Sequence, residues 1–369
     1  MRFADLNYYA NNDLTDIRAA ISRFGTSYGY LSVMRSIADV RGILHLNSET
    51  ATEISGVPYS GFKSRNKFFH IPFGTHRFIK SKKPDVVLVQ GIVFPVQVIA
   101  LRFALGKKVK IIAQHHGEQP FVNTIKRRLQ KLADKYIDAY LFTAKGNAQN
   151  WVNEGVISDI DKCYEVLEAS TDLNRLDKKT CREQLGIPGG LNFLSVGRLI
   201  PGKDPLTVLS AFEQFASENP EARLYMIYQD DTMLEQVKMK IVQSAILKNT
   251  VHLVGKVDHR KLASWFTACD FFVSGSHHEA AGFALIECMA CGCIPVVTDI
   301  PPFLSITENG KLAFTFKPGD VNGLLQAMQR AALSDRNKLT ADVLSHFEEH
   351  LSYKAIADGI YNVCRELLR

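Results

Sequence analysis

Apolar residues along this chain gather into short runs, separated by longer stretches in which they recur at helical spacing. In the first half the runs predict strands at residues 2–7, 42–46, 85–90, 109–113, 139–142 and 164–167, with helices between them, among them 96–105 and 124–136. The second half predicts strand 191–196, helix 204–217, strands 223–228 and 251–254, helix 259–268, and strands 271–273 and 295–297. Alternation of this kind is the pattern of parallel, doubly wound α/β sheets. Two such series fit in 369 residues as two domains of ordinary size. The most hydrophobic stretch, 86–105, has the length of a membrane span. It contains Gln90, Pro95, Gln97 and Arg102, each costly in a bilayer, and is better explained as a buried strand followed by a helix.

Chemistry concentrates in residues 271–297. A buried strand (Phe271, Phe272, Val273) leads through a polar loop into a short helix opened by Gly282, then into a second strand. Helix N-termini present unpaired N–H groups and a positive dipole end, which suits a phosphate. Glu279 stands in the loop and Glu287, eight residues on, inside the helix. The first is placed to hold sugar hydroxyls, the second to accept two hydrogen bonds from a ribose diol. Upstream, strand 192–196 is followed by Gly197, Arg198 and Lys203, then by Asp204 and Pro205, a good N-cap and first helical residue. Two cations at the end of a strand can neutralise a diphosphate and stabilise the charge it gains on leaving.

Glu279 and Glu287, with Arg198 and Lys203, resemble the Glu-x7-Glu and Arg/Lys motifs of glycosyltransferase family 4. That resemblance spans nearly the whole chain. It implies a GT-B fold, two Rossmann-like doubly wound domains facing a central cleft. The acceptor-side domain would comprise 1–172, with a helical tail from about 350 to 369 packing back on it, and the nucleotide-sugar domain 173–349. Residues 168–172 resemble the interdomain crossing. By the same resemblance Gly282, Phe283, Ala284 and Gly197 meet the nucleotide diphosphate, and the base lies near Val254, Gly255 and Lys256. Gln114-His115-His116-Gly117 follows a strand and resembles the family's His-Gly motif. His116 would then meet the donor sugar, with Gly117 on the acceptor side; a loop histidine bonded to backbone is the other reading. Two places depart from the family. Tyr8-Tyr9-Ala10-Asn11-Asn12 stands where a Gly-Gly loop is usual, leaving Tyr8 and Tyr9, or else the segment 23–29, to close the acceptor side. Tyr228-Gln229-Asp230-Asp231 replaces a glycine-rich stretch.

What the resemblance implies is a retaining transfer from a nucleoside-diphosphate sugar to a hydroxyl of a glycan or lipid-linked glycan, with neither metal nor organic cofactor. The acceptor attacks from the side the diphosphate leaves, and a phosphate oxygen takes its proton. Alternatives are a non-catalytic partner subunit of the same fold, or an epimerase or phosphorylase. Seven scattered cysteines suggest free thiols, and Cys288, Cys291 and Cys293 lack a second pair at structural-zinc spacing. Asp159 and Asp161 sit in a polar stretch where turn residues are expected.

Charge is uneven. Residues 1–170 hold 23 Lys and Arg against 15 Asp and Glu, and the remainder 21 against 23. Within the basic half, Ile125, Leu129, Leu132 and Tyr136 share one face of a helix whose other positions carry Lys126, Arg127, Arg128, Lys131 and Lys135. Such a helix suits an anionic membrane surface; it equally suits a core helix with a solvated basic face. Nucleic acid is not expected, since no binding motif accompanies the charge. With no signal-peptide pattern at the N-terminus, the expected location is cytoplasmic, peripheral at most to the inner face of a membrane.

Overall fold

In the computed structural model, which describes residues 1–11, 13–63 and 67–369, the apolar runs form two separate sheets. The chain divides into two compact units, one of Met1–Ser170 with Ser352–Arg369 and one of Thr171–Leu351.

Unit 1 holds β1 (Arg2–Asn11), β2 (Asp39–Leu46), β3 (Thr50–Ile54), β4 (Val57–Lys63), β5 (Val86–Gln90), β6 (Lys110–Gln114), β7 (Ala139–Phe142) and β8 (Cys163–Glu165). Their order is β3-β4-β2-β1-β5-β6-β7-β8. Every pair is parallel except the β3–β4 hairpin at the edge. β5 is buried along its whole length, as a strand covered on both faces must be. The hairpin is absent from the sequence expectation because its first strand, Thr-Ala-Thr-Glu-Ile, is half exposed and polar.

The structure corrects the reading of the first loop. β1 continues through Tyr8 and Tyr9 to Asn11, so those tyrosines lie in a strand; Asn12 falls outside the described residues. Residues 23–29, the other candidate loop, lie inside the helix Ile17–Met34, which bends at Phe24 (φ −119°, ψ 23°). Glycines at 25 and 29 suggested a loop. Gly29 instead gives room to the C-terminal helix Tyr353–Leu368: a Cβ there would stand 2.4 Å from Cζ of Tyr353. The Tyr353 hydroxyl reaches the carbonyls of Ser170 (3.1 Å) and Gly25 (3.3 Å).

Unit 2 holds β9 (Asn192–Val196), β10 (Arg223–Ile227), β11 (Val251–Gly255), β12 (Phe271–Ser274), β13 (Ile294–Thr298) and β14 (Phe314–Phe316), in the order β11-β10-β9-β12-β13-β14 and parallel throughout. Phe193 stacks on Phe271 with ring centroids 5.0 Å apart, joining β9 to β12 through the core. From β9 the chain winds first to one side and later to the other. The order therefore reverses between β9 and β12, as it does between β1 and β5 in unit 1. In open α/β sheets the crevice at the carboxyl ends of two such strands is where ligands bind.

All seven cysteines are free and buried. The Cys288 thiol donates to the carbonyl of Cys293 at 3.0 Å. Asp159 accepts from the Asp161 amide at 2.9 Å, a turn contact. Among the described residues no helix is long and apolar enough to cross a membrane.

Candidate active site

At the reversal point of unit 2, two loops meet. The one after β9 carries Gly197, Arg198 and Lys203; the one after β12 carries Ser276, His277 and Glu279. They approach so closely that a Cβ on Gly275 would lie 3.1 Å from the Asp204 carbonyl oxygen. The His277 amide donates to Gly202 O at 2.9 Å, and His277 Nε2 lies 3.0 Å from Asp204 Oδ2. Across this junction the Lys203 ammonium pairs with Glu279 Oε1. Ser276 Oγ donates to the same oxygen at 2.8 Å, and the Ser276 carbonyl is held by Thr298 Oγ1 at 2.6 Å. Asp204 adopts a left-handed conformation (φ 47°), and its side chain accepts from the Thr207 amide at 3.2 Å, capping the helix Pro205–Glu218. Arg198 is exposed on the same loop, and among the described residues it forms no ion pair.

Gly282 opens the helix Phe283–Ala290 from a left-handed conformation (φ 69°). A Cβ there would stand 3.0 Å from Cε1 of Phe303, so both backbone and space call for glycine. The Leu285 and Ile286 amides bond back to the Gly282 carbonyl (2.9 and 3.1 Å). The Phe283 and Ala284 amides, in the first helical turn, precede any intrahelical acceptor. Just beyond that turn Glu287 is buried, and its Oε1 meets His259 Nε2. That bond is the main influence raising the His259 pKa above its ordinary value, against the opposing effect of burial. His259 lies three residues past Lys256. The end of β11, with Val254 and Gly255 (φ 79°), and Lys256 just after it are thereby tied to the helix that holds Glu287.

Unit 1 builds a second polar cluster at its own reversal point. Glu118 accepts from three donors: the Tyr9 hydroxyl (2.5 Å) and Ile92 amide (3.1 Å) on Oε1, and the His116 amide (2.6 Å) on Oε2. Gly91 (φ 94°) leaves this contact open, since a Cβ would come 2.8 Å from both Glu118 Oε1 and the Tyr9 hydroxyl oxygen. The His116 ring bonds Glu168 through Nδ1 and Gln90 Oε1 through Nε2 at 2.6 Å. Burial acts most strongly to lower the His116 pKa, but Glu168, Glu118 and Asp5 together hold it above its ordinary value. Gly117 (φ 82°) turns the chain between His116 and Glu118.

Tyr8 is corrected. It is 5% exposed, its hydroxyl lies 2.8 Å from His76 Nε2, and its ring sits against His45, His76 and Phe94. It fills the core of unit 1 and offers no surface to an acceptor, whereas Tyr9 is partly exposed beside Glu118. Sequence reasoning missed Ser276, His277 and His259 in unit 2, and Gln90 and Glu118 in unit 1. Gln90 carried a usable signal, being the last residue of a central strand.

Residues 177–343 match the family model described as Glycosyl transferases group 1. The second unit is a group 1 glycosyl transferase domain. The match lies within the second unit and covers just under half of the chain. The D-inositol 3-phosphate glycosyltransferase 2 of Catenulispora acidiphila is 29% identical over 54% of this chain and 50% of its own length. The GDP-mannose:cellobiosyl-diphosphopolyprenol alpha-mannosyltransferase of Xanthomonas campestris is 25% identical over 62% of this chain and 60% of its own. The chain thus spans only half to three-fifths of these relatives. The structure of Anabaena HepE in complex with UDP and glucose superposes with a TM-score of 0.70 at 14% identity, covering 99% of this chain and all of that one. At that identity the likeness shows the fold, which is GT-B. Within the glycosyltransferase domain, Lys203, Glu279, Gly282 and Glu287 stand at the carboxyl ends of β9 and β12 or in the helix just beyond.

Proposed function

We propose that this protein is a retaining, metal-independent glycosyltransferase. It moves a sugar from a nucleoside-diphosphate sugar to a hydroxyl of a glycan or lipid-linked glycan intermediate. The observation that carries the reading is the Lys203–Glu279 pair set beside the open N-terminus of the helix Phe283–Ala290, with Glu287 buried just inside it. The helix end and Lys203 suit a diphosphate, Glu287 a ribose diol, and Glu279 the sugar hydroxyls. The bond from the anomeric carbon to the diphosphate oxygen breaks as the bond to the acceptor oxygen forms, and the acceptor's proton passes to the departing diphosphate. Arg198, Lys203 and the helix dipole stabilise the charge that develops, so neither a protein base nor a metal is required. The resemblance of Gln114-His115-His116-Gly117 to the His-Gly motif supports a sugar-contacting role for His116. The names of the relatives, one of them acting on a diphosphopolyprenol, support a glycan or lipid-linked acceptor.

A peripheral membrane contact is part of this reading, and one observation favours it. The helix Thr124–Ala133 turns Gln130 and Ala133 inward while Ile125 is 66% exposed and Leu132 40%, with Val122 just before it 91% exposed. Arg128 and Lys131 are exposed on the same helix. This apolar stripe, flanked by cations, suits an anionic interface.

Incubating the purified protein with a panel of nucleoside-diphosphate sugars tests the core of the proposal. Release of free nucleoside diphosphate from one of them, lost in Lys203→Ala, is the expected result. A protein that binds and cleaves none of the panel would instead fit a non-catalytic partner subunit.

A further inference from the structure

The His116 cluster contains more carboxylates than a single histidine needs. Glu168 stands just beyond β8, its side chain 4% exposed, and accepts from Nδ1 of His116. On the other side of the ring Nε2 lies 2.6 Å from the amide oxygen of Gln90, the last residue of β5. The Gln90 amide nitrogen donates to Asp5 Oδ2, which also accepts from the Tyr30 hydroxyl of the helix Ile17–Met34. Asp5 is fully buried in β1.

The order of donors and acceptors fixes the protonation of the ring. Gln90 turns its NH2 toward a carboxylate, so the atom facing His116 is its oxygen, which can only accept. Nε2 must therefore carry a proton. Glu168 as a carboxylate also only accepts, so Nδ1 must carry one as well. A neutral imidazole has one N–H and would leave one of these buried acceptors unmet. The ring is satisfied on both sides only as an imidazolium.

The remaining groups around the ring agree. On its own loop Glu118 takes the His116 amide, and His115 turns away to stack on Phe142 at 4.7 Å. From β1, Tyr9 lies nearly perpendicular to the ring at 6.4 Å and Asp5 adds negative charge through Gln90. Among the described residues no lysine or arginine forms an ion pair with Glu168 or Glu118, which leaves His116 as the cation facing Glu168.

We propose that Glu168 is a positioning residue for the glycosyl transfer, holding His116 in one orientation as a fixed cation between itself and Gln90. With both of its N–H groups given to Glu168 and Gln90, His116 then acts by its positive charge, and cannot serve as a general base. The proposal rests on the reading of His116 as part of the reacting site, yet half of its test is independent of activity.

The imidazole of His116 is followed by NMR as pH is varied, with His116→Asn to assign the resonance, in the wild type, Glu168→Gln and Glu168→Asp. In the wild type the ring remains charged at pH 7.5. In Glu168→Gln it loses its proton at least about one pH unit earlier, a tenfold change in the equilibrium, and Glu168→Asp falls between the two. Transfer or donor hydrolysis by Glu168→Gln then drops about tenfold at pH 8 and stays within about threefold of wild type at pH 6, with donor KM little changed. A wild-type ring that is neutral at pH 7.5, or one whose titration is the same in all three proteins, overturns the proposal whether or not any sugar is transferred. An imidazole shift without any movement of the pH–rate profile overturns the positioning role. A protein that transfers nothing while the NMR result holds defeats the functional reading and leaves the protonation finding standing.

Discussion

Lys203 and Glu279 are 76 residues apart in sequence and form an ion pair that joins the loops after two adjacent strands, β9 and β12. The pair places an ammonium and a carboxylate on one site, and the proposed function gives each separate work. Glu279 is also bonded by Ser276, whereas Glu287 belongs to a different pair, with His259. The two glutamates are therefore separable by mutation.

Glu287→Gln should mainly raise the apparent donor KM, because ribose binding is felt alike in ground and transition states. Losing a charged hydrogen-bond pair to a diol costs on the order of 1.5–3 kcal/mol, roughly 10- to 150-fold. Glu279→Gln and Lys203→Ala should instead lower kcat, since the charges they meet grow as the bond breaks. Affinity for free nucleoside diphosphate, measured by calorimetry, should fall for Glu287→Gln and stay nearly constant for Glu279→Gln. Equal losses in both would remove the sugar role from Glu279.

Metal removal gives a second outcome. With Arg198, Lys203 and a helix end as the positive charges at the diphosphate, turnover in EDTA should stay within about twofold of the untreated rate. A hundredfold loss restored by magnesium or manganese would place the phosphates elsewhere.

The exposed stripe of the helix Thr124–Ala133 predicts a salt-sensitive membrane contact. Arg127 is engaged at home, bonded to Glu154 at 2.7 Å and to the Phe121 carbonyl at 2.8 Å, so Arg128 and Lys131 are the residues to change. Replacing both with Glu should abolish co-sedimentation with phosphatidylglycerol vesicles at low salt and leave donor hydrolysis unaltered. Ile125→Ser should weaken sedimentation at any salt. Wild-type protein that binds neutral and anionic vesicles equally would contradict the electrostatic part.

Acid should destabilise unit 1. Burial pulls His45 and His76 down to about 4, so both stay neutral in the folded chain while the unfolded chain takes up protons below about 6.5. Stability is then lost as pH falls from about 6.5 toward 4. Asp5 works the other way: burial raises it to about 6, so its contribution is lost as pH rises to that value. The two imidazoles outweigh Asp5 and His116, whose raised pKa also favours folding as pH falls, and leave a net loss on acidification on the order of 2–4 kcal/mol between pH 7 and 4.5. A Trp265→Phe variant reports unit 1 through buried Trp151 alone, since the chain has 2 tryptophans. Its urea midpoint should fall over that range, and fall less when His76→Gln is added. A flat or rising midpoint would refute the assignment.

The sequence by itself determined the repeated strands, the doubly wound class and the positions of Arg198, Lys203, Glu279 and Glu287 next to strand ends. These are local properties: an apolar run marks a buried strand, and a polar residue just past it stands at the sheet's carboxyl edge. Only the tertiary structure decided which of them meet. Lys203 reaches Glu279 because β9 and β12 are neighbours, His259 reaches Glu287 because the segment after β11 returns to that helix, and His116 is held between β5 and the end of β8. None of these pairings is written in local spacing, because crossovers set strand adjacency. Periodicity was also silent on direction. The stripe of Ile125 and Leu132 has the spacing of a core face, yet Gln130 and Asp134 go inward, where Phe121, Tyr140 and Lys162 satisfy their oxygens, and the apolar face is left to solvent. Tyr8 went the opposite way, from a presumed loop into the core, because β1 runs on past the last obviously apolar residue and its pleat carries that ring inward against His76.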